Sequence, residues 1–255
     1  MPALEKITIS PGLAFDALVA GELGAPLVLL LHGFAESMHC WRAQVAAVAA
    51  AGYRAVAPSQ RGYSPGARPD MGDTANYHID RLMDDAMAIV AASGDSERRF
   101  HLVGHDWGGS IAWALGDRFP QRLASLTILS RPHPNAFNRA LQMPDGEQAQ
   151  RSRHHKAFLE PGAADVVLAD DARWLRERWT AAGVPADAIE KTSCRARQQE
   201  RDGGSARMVS RAWRDPRPAR PDPGANALHL GRCRRHRRAD RRRGHGGFHR
   251  RTLSL

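Results

Sequence analysis

An α/β fold built on a mostly parallel, doubly wound sheet is the class this sequence predicts, and three observations carry it. The run Pro26-Leu-Val-Leu-Leu-Leu31 is continuously apolar, as a strand buried on both faces is, and it ends abruptly in His32-Gly33-Phe34. The run Phe100-His-Leu-Val103 leads into Gly104-His105-Asp106-Trp107-Gly108-Gly109, and an apolar-periodic helix (Ile111, Ala112, Leu115) leads out: strand, tight elbow, helix. Over roughly the first 130 residues strand patterns alternate with helical ones, which argues for βαβ units rather than a sandwich or a bundle.

The elements follow in order. Ile7 to Leu23 alternates enough for an opening antiparallel hairpin, and Tyr53-Arg-Ala-Val-Ala-Pro58 reads as a strand stopped by its proline. Asn76 is a plausible N-cap for a helix in which Ile79, Leu82, Met83, Ala86, Ile89 and Val90 recur at helical spacing until Gly94. Arg81, Asp84 and Asp85 fall between these apolar positions and are read as solvated surface. Leu126-Thr-Ile-Leu129 is a further strand. From about Pro132 the pattern is helical without strands, including Asp170-Asp-Ala-Arg-Trp-Leu-Arg-Glu-Arg-Trp179.

Asp106 is the residue that narrows the chemistry. A side chain at such an elbow sits on a strained backbone above the sheet, where strand and helix almost touch and only small residues fit, a need that Gly104, Gly108 and Gly109 meet. The adjacent helix N-terminus favours negative charge, so Asp106 is expected to be ionised and able to attack electrophilic carbon. An ordinary N-cap aspartate would look the same taken alone; the upstream His32-Gly33-Phe34 turn is what favours catalysis. That turn lies at the carboxyl end of a parallel strand, where ligands bind in open α/β sheets. The backbone N–H groups of Phe34 and Trp107 are therefore expected to converge as an oxyanion hole. His32 is read as architecture, bonding the loop backbone, with Gly33 letting that backbone approach the site.

In these stretches the chain resembles the α/β-hydrolase superfamily, in its epoxide hydrolase and haloalkane dehalogenase branch with an aspartate nucleophile. The stretches are His32-Gly-Phe-Ala-Glu-Ser37 with Trp41-Arg42, Ala57-Pro-Ser-Gln-Arg-Gly-Tyr-Ser64, Gly104 to Gly109, and Ser130-Arg-Pro-His-Pro134. One departure stands at Ala35, where epoxide hydrolases usually carry proline. The resemblance implies the α/β-hydrolase fold: a mostly parallel sheet at 1–130, a helical cap at 131–194, and more sheet beyond. It also implies an alkyl-enzyme ester on Asp106, formed from a small-molecule epoxide or alkyl halide and hydrolysed by a histidine oriented by a second carboxylate. Cap tyrosines would serve the epoxide oxygen, yet the tyrosines here are Tyr53, Tyr63 and Tyr77, all before the cap. For a halide, the Trp107 N–H is a candidate donor, with a tryptophan packed over the elbow as the competing reading. No histidine qualifies as the base: His105 should point away from the nucleophile, and His133, His154 and His155 lie at the cap entrance.

The remaining segment, 195–255, belongs to a different charge regime. Through Cys194 there are 19 Lys and Arg against 22 Asp and Glu; beyond it there are 18 Arg, no Lys and 5 acids, which together give the net charge of +10. Arg, Gly, Pro, His and Ala dominate, the strands that would complete the sheet are unrecognisable, and a packed core is not expected there. The C-terminal part of the sheet is thus read as missing or disordered. A frameshifted translation of a GC-rich gene accounts best for this composition, with loss of the catalytic histidine and acid as its consequence. The alternative is a non-catalytic hydrolase-derived protein whose basic arm binds nucleic acid, a contact expected to be non-specific. A zinc site from Cys233, His236, His245 and His249 has suggestive spacing but no strand context, so neither metal nor cofactor is predicted. No apolar stretch reaches the length of a membrane helix and no leader is recognisable, so a cytoplasmic protein is expected; three scattered cysteines suit a reducing compartment. The oligomeric state is not legible.

Overall fold

The computed structural model of the protein describes residues 1–70, 73–153 and 162–190. The expectations for His154, His155, Cys194 and the Arg-rich segment 195–255 lie outside the described residues. Among these, six strands form one sheet: β1 (Ala3–Ser10), β2 (Leu13–Ala20), β3 (Leu27–Leu31), β4 (Arg54–Pro58), β5 (Phe100–His105) and β6 (Leu123–Leu129). Their spatial order is β1-β2-β4-β3-β5-β6. The opening hairpin and the β2–β4 pair are antiparallel, and β4–β3, β3–β5 and β5–β6 are parallel.

That order makes a switch point. The chain leaves β3 through α1 (Arg42–Ala50) towards β4 on one side, then crosses back through α2 (Ile79–Ala92) to β5 on the other. Loops from the carboxyl ends of β3 and β5 therefore diverge and leave a crevice between them. All five residues of β3 are buried, and the pleat divides them between two cores. Leu27, Leu29 and Leu31 join the cluster holding Leu82, Ile89, Ile111 and Leu115 of α2 and α3 (Trp107–Arg118). Val28 and Leu30 join Met38, Trp41 and Val45 on the α1 side. At roughly 1.5–3 kcal/mol per buried aliphatic side chain, the strand that carries the His32 turn is among the best-anchored parts of the sheet.

Two local expectations are corrected. The N-cap of α2 is His78, whose ring accepts from the Asp80 N–H, while Asn76 lies in a preceding 3-10 turn. Asp85 is not surface: it is 5% exposed and accepts two 2.6 Å hydrogen bonds from Arg61. Its spacing from Leu82, Ala86 and Ile89 puts it on the buried face of α2, and the Arg61 fork makes that burial tolerable. Burial raises the Asp85 carboxyl against the opposing pull of Arg61.

After β6 the described chain is helical, as expected, in α4 (Pro134–Leu141), α5 (Gln148–Arg151) and α6 (Ala163–Ala181). The last is two helical pieces interrupted at Ala169–Ala172, where Asp170, Asp171 and Ala172 have positive φ. Val167, Ala172 and Leu175 of α6 pack with Ala35 in a small apolar cluster. Among the described residues no helix is long and apolar enough to cross a membrane.

Candidate active site

Asp106 stands at the turn from β5 into α3 with φ 48° and ψ −111°, a conformation that L-residues rarely adopt. Its N–H donates to Leu129 O of the neighbouring strand at 3.1 Å, which fixes the elbow at the carboxyl edge of the sheet. The glycines around it are required by space. A Cβ on Gly104 would lie 2.5 Å from Gly108 O, and one on Gly108 would lie 2.3 Å from Leu31 O. The first is the strand-to-helix approach the sequence suggests; the second is a different contact, of α3 with the end of β3. A Cβ on Gly109 would meet the Arg131 Cβ at 2.9 Å.

The facing wall is the turn after β3. His32 is completely buried, and its tautomer is fixed: Nε2 accepts from the Gln60 N–H at 3.0 Å, so Nδ1 carries the proton and donates to Gly33 O at 2.9 Å. Burial holds its pKa down at about 4, so the ring is neutral at ordinary pH. His32 O in turn accepts from Gly108 N at 3.0 Å and from Gln60 Nε2 at 2.7 Å, tying β3 to the start of α3. Gly33 is crowded: a Cβ there would come within 2.9 Å of the Asp106 Cβ and 3.0 Å of both Glu36 Oε2 and His105 Nδ1. The Phe34 N–H, one residue on, donates to Asp106 Oδ1 at 3.0 Å across 72 residues of sequence. This is one of the two donors expected from the sequence, aimed at the carboxylate. Trp107 opens α3 beside it, with its side chain 6% exposed in the main core.

Ala35, where a proline would be ordinary for the resembling family, has φ 58° and donates its N–H to the Tyr63 hydroxyl at 3.1 Å. Proline allows neither, because its ring holds φ negative and it has no N–H. Tyr63 thereby becomes a structural brace; Tyr77 is another, donating to Pro69 O at 2.8 Å, and Tyr53 stacks edge-on with His101.

Two participants were not singled out from sequence. Glu36 Oε2 accepts from Gly33 N at 2.8 Å and lies 3.1 Å from His105 Nδ1. His105, expected to point away from Asp106, flanks the same glycine as that residue. The hydrogen bond that His105 donates to Glu36 raises the His105 pKa against its partial burial. Burial pushes the Glu36 carboxyl up, but the His105 bond, its charge and the Gly33 N–H together bring it below the usual range. The second is Arg131, two residues beyond β6, half-buried, whose guanidinium lies over the Phe137 ring at 5.5 Å and feels the Asp106 charge. This edge of the sheet thus carries two carboxylates, each accepting a backbone N–H from the β3 turn, and two potential cations. A cleft of about 530 Å³ lined by Asp170, Arg173, Arg176 and Thr180 shares no residue with it.

Comparison with known proteins bears on the family and the fold. A family model described as alpha/beta hydrolase fold matches residues 26–227. Epoxide hydrolase A of Mycobacterium tuberculosis is 38% identical over 179 residues, 68% of this chain and 53% of that protein. Human epoxide hydrolase 4 is 41% identical over 170 residues, 66% of this chain and 45% of that protein. The chain therefore spans about half the length of these curated relatives. A Bacillus megaterium epoxide hydrolase, solved with an inhibitor, superposes with a TM-score of 0.70 at 26% identity, covering 82% of this chain and 71% of that one. A variant of that hydrolase was solved with its product, (R)-3-[1]naphthyloxy-propane-1,2-diol.

Proposed function

The chain belongs to the α/β-hydrolase family, in its epoxide hydrolase branch, and from that premise we propose that Asp106 is a nucleophile that opens small-molecule epoxides through an alkyl-enzyme ester. The observation that carries this reading is the 3.0 Å bond from the Phe34 N–H to Asp106 Oδ1 at a strained elbow. With Oδ1 held, Oδ2 attacks the epoxide carbon, the carbon–oxygen bond of the ring breaks, and its electron pair leaves on the epoxide oxygen. Oδ1 becomes the carbonyl oxygen of the ester. When water adds to that ester, negative charge collects on Oδ1, where the Phe34 N–H is already aimed, with the Trp107 N–H as the second donor; one such donor contributes roughly 3–4 kcal/mol. A haloalkane would form the same ester with halide as leaving ion.

Release of the ester needs a base. Two imidazoles lie near Asp106 among the described residues: that of His32, neutral and with both ring nitrogens bonded to the backbone, and that of His105, whose Nδ1 is committed to Glu36. We read residues 131–194 as a cap over the carboxyl edge and 195–255 as out-of-frame sequence without a replacement base, so this chain forms the adduct and keeps it. Intact-mass measurement after incubation with an aryl glycidyl ether is expected to show a single stable adduct that Asp106→Asn abolishes. Steady turnover without adduct would refute the missing base, and an adduct surviving in Asp106→Asn would refute the nucleophile. Sequencing of the coding DNA beyond Glu190 tests the frame separately.

A further inference from the structure

Opening an epoxide moves a full negative charge from the attacking carboxylate to the ring oxygen, which is a poor leaving group unless a cation or acid receives it. Phenols are one source, but the tyrosines of this chain are braces: Tyr63 receives the Ala35 N–H, Tyr77 donates to Pro69 O, and Tyr53 stacks on His101. Arg131 is placed differently. The β5–β6 register sets His105 opposite Leu129, and the Asp106 N–H bonds Leu129 O, so the residues following β6 emerge at the same sheet edge as the nucleophile. Gly109 leaves room for the Arg131 stem, where any side chain would strike its Cβ at 2.9 Å. Trp113 Nε1 donates to Arg131 O at 3.1 Å, and His133 packs edge-on against that indole at 4.9 Å. Ser130, just before it, takes φ 54°, a strained turn that redirects the chain at this point. Phe137 carries the guanidinium on its ring face at 5.5 Å. The charge is thus held half-buried after a strained turn, at the sheet edge that carries Asp106 and within reach of its field.

We propose that Arg131 is a catalytic residue of the proposed reaction, its guanidinium holding the departing epoxide oxygen as the Asp106 ester forms. This rests on the nucleophile reading above. The carbon–Oδ2 bond forms as the carbon–oxygen bond of the ring breaks, and the alkoxide accepts guanidinium N–H bonds. It then takes its proton from water, so Arg131 keeps its own throughout.

The test compares leaving groups. Adduct formation is timed by intact mass for wild type, Arg131→Gln and Arg131→Lys with three electrophiles: a neutral aryl glycidyl ether, its analogue bearing a ring carboxylate, and a primary alkyl iodide. Arg131→Gln is expected to slow the neutral epoxide by on the order of 10²-fold, as loss of one oxyanion donor does. Iodide needs little help in leaving, so the alkyl iodide is expected to slow by less than about threefold, and Arg131→Lys, which keeps the charge, to recover part of the epoxide rate. Equal slowing of epoxide and iodide, or none, overturns the proposal while the nucleophile stands. A loss confined to the carboxylated epoxide overturns it in favour of substrate-anion recognition. No wild-type adduct with any electrophile sinks the nucleophile reading, and Arg131 with it. Since alkylation by the iodide reports an intact elbow, it also separates a folding defect in Arg131→Gln from a chemical one.

Discussion

β3 and β6 are both short apolar strands, yet every residue of β3 is buried, whereas β6 buries only Leu123 and leaves Leu129 43% exposed. Composition explains only part of it: β6 carries Ser125 and Thr127, but its Leu129 is exposed as well. β3 lies between β4 and β5 with helices over both faces, while β6 pairs only with β5 among the described residues. Strand identity is a local property of the chain, and burial is a property of its neighbours. The candidate site inherits the contrast: one wall, from β3, is locked by His32, Gln60 and Tyr63, and the other, from β6, is a strained turn presenting a cation.

The contrast breaks most sharply at Gly108. Gly108→Ala sets a Cβ against Leu31 O and Leu31 C, both backbone and both within 2.5 Å. The expected loss is about 4 kcal/mol in urea unfolding, among the largest single-residue effects; a loss under about 1 kcal/mol would show that the β3 wall yields. Leu29→Ala, deep in the same wall, is expected to cost about 3 kcal/mol.

His32 extends the comparison to pH. Its folded value of about 4 lies below the ordinary 6.5, so the folded ring refuses a proton that the unfolded one accepts. The associated stability is whole above pH 6.5 and is lost as pH falls towards 4, in total about 3 kcal/mol. Urea midpoints that stayed level from pH 7 to 4.5 would mean the ring is not sealed.

The His105–Glu36 pair has the opposite sign for its histidine. A raised His105 value gives stability that is full below about pH 6.5 and is lost as pH rises through the folded value. Both side chains are a quarter to a third exposed, so the effect should stay below about 1 kcal/mol. Glu36→Gln is expected to remove that alkaline decline; an unchanged profile would assign the titration elsewhere. Smallest of all, Leu129→Ala on the open strand is expected to change stability by no more than about 0.5 kcal/mol. A loss as large as that of Leu29→Ala would mean that β6 is covered in solution.

The sheet and the elbow were legible because their signals are local. Glycines at 104, 108 and 109 around an aspartate between a strand and a helix specify a shape without reference to the rest of the chain. The Phe34 donor was legible although it is 72 residues away, because carboxyl ends of adjacent parallel strands share an edge. Glu36 and His105 were not, since nothing local says that these side chains meet; the β3–β5 register decides it. Asp85 was misread because its charge outweighed its spacing, and its partner Arg61 sits in a loop whose path the sequence does not reveal. The absent proline at 35 was visible, but not its reason, which is a positive φ and a hydrogen bond to Tyr63.

Ala35, Asp106 and Ser130 follow three adjacent strands, and each holds a left-handed backbone without being glycine. Such positions cost roughly 1–2 kcal/mol apiece. A laboratory screen rewarding heat resistance alone would therefore drift towards asparagine or glycine at 106, and its winners would lack the proposed nucleophile. Selecting for alkylation in the same rounds would close that route and push the gains to 35, away from both Asp106 and the turn that places Arg131.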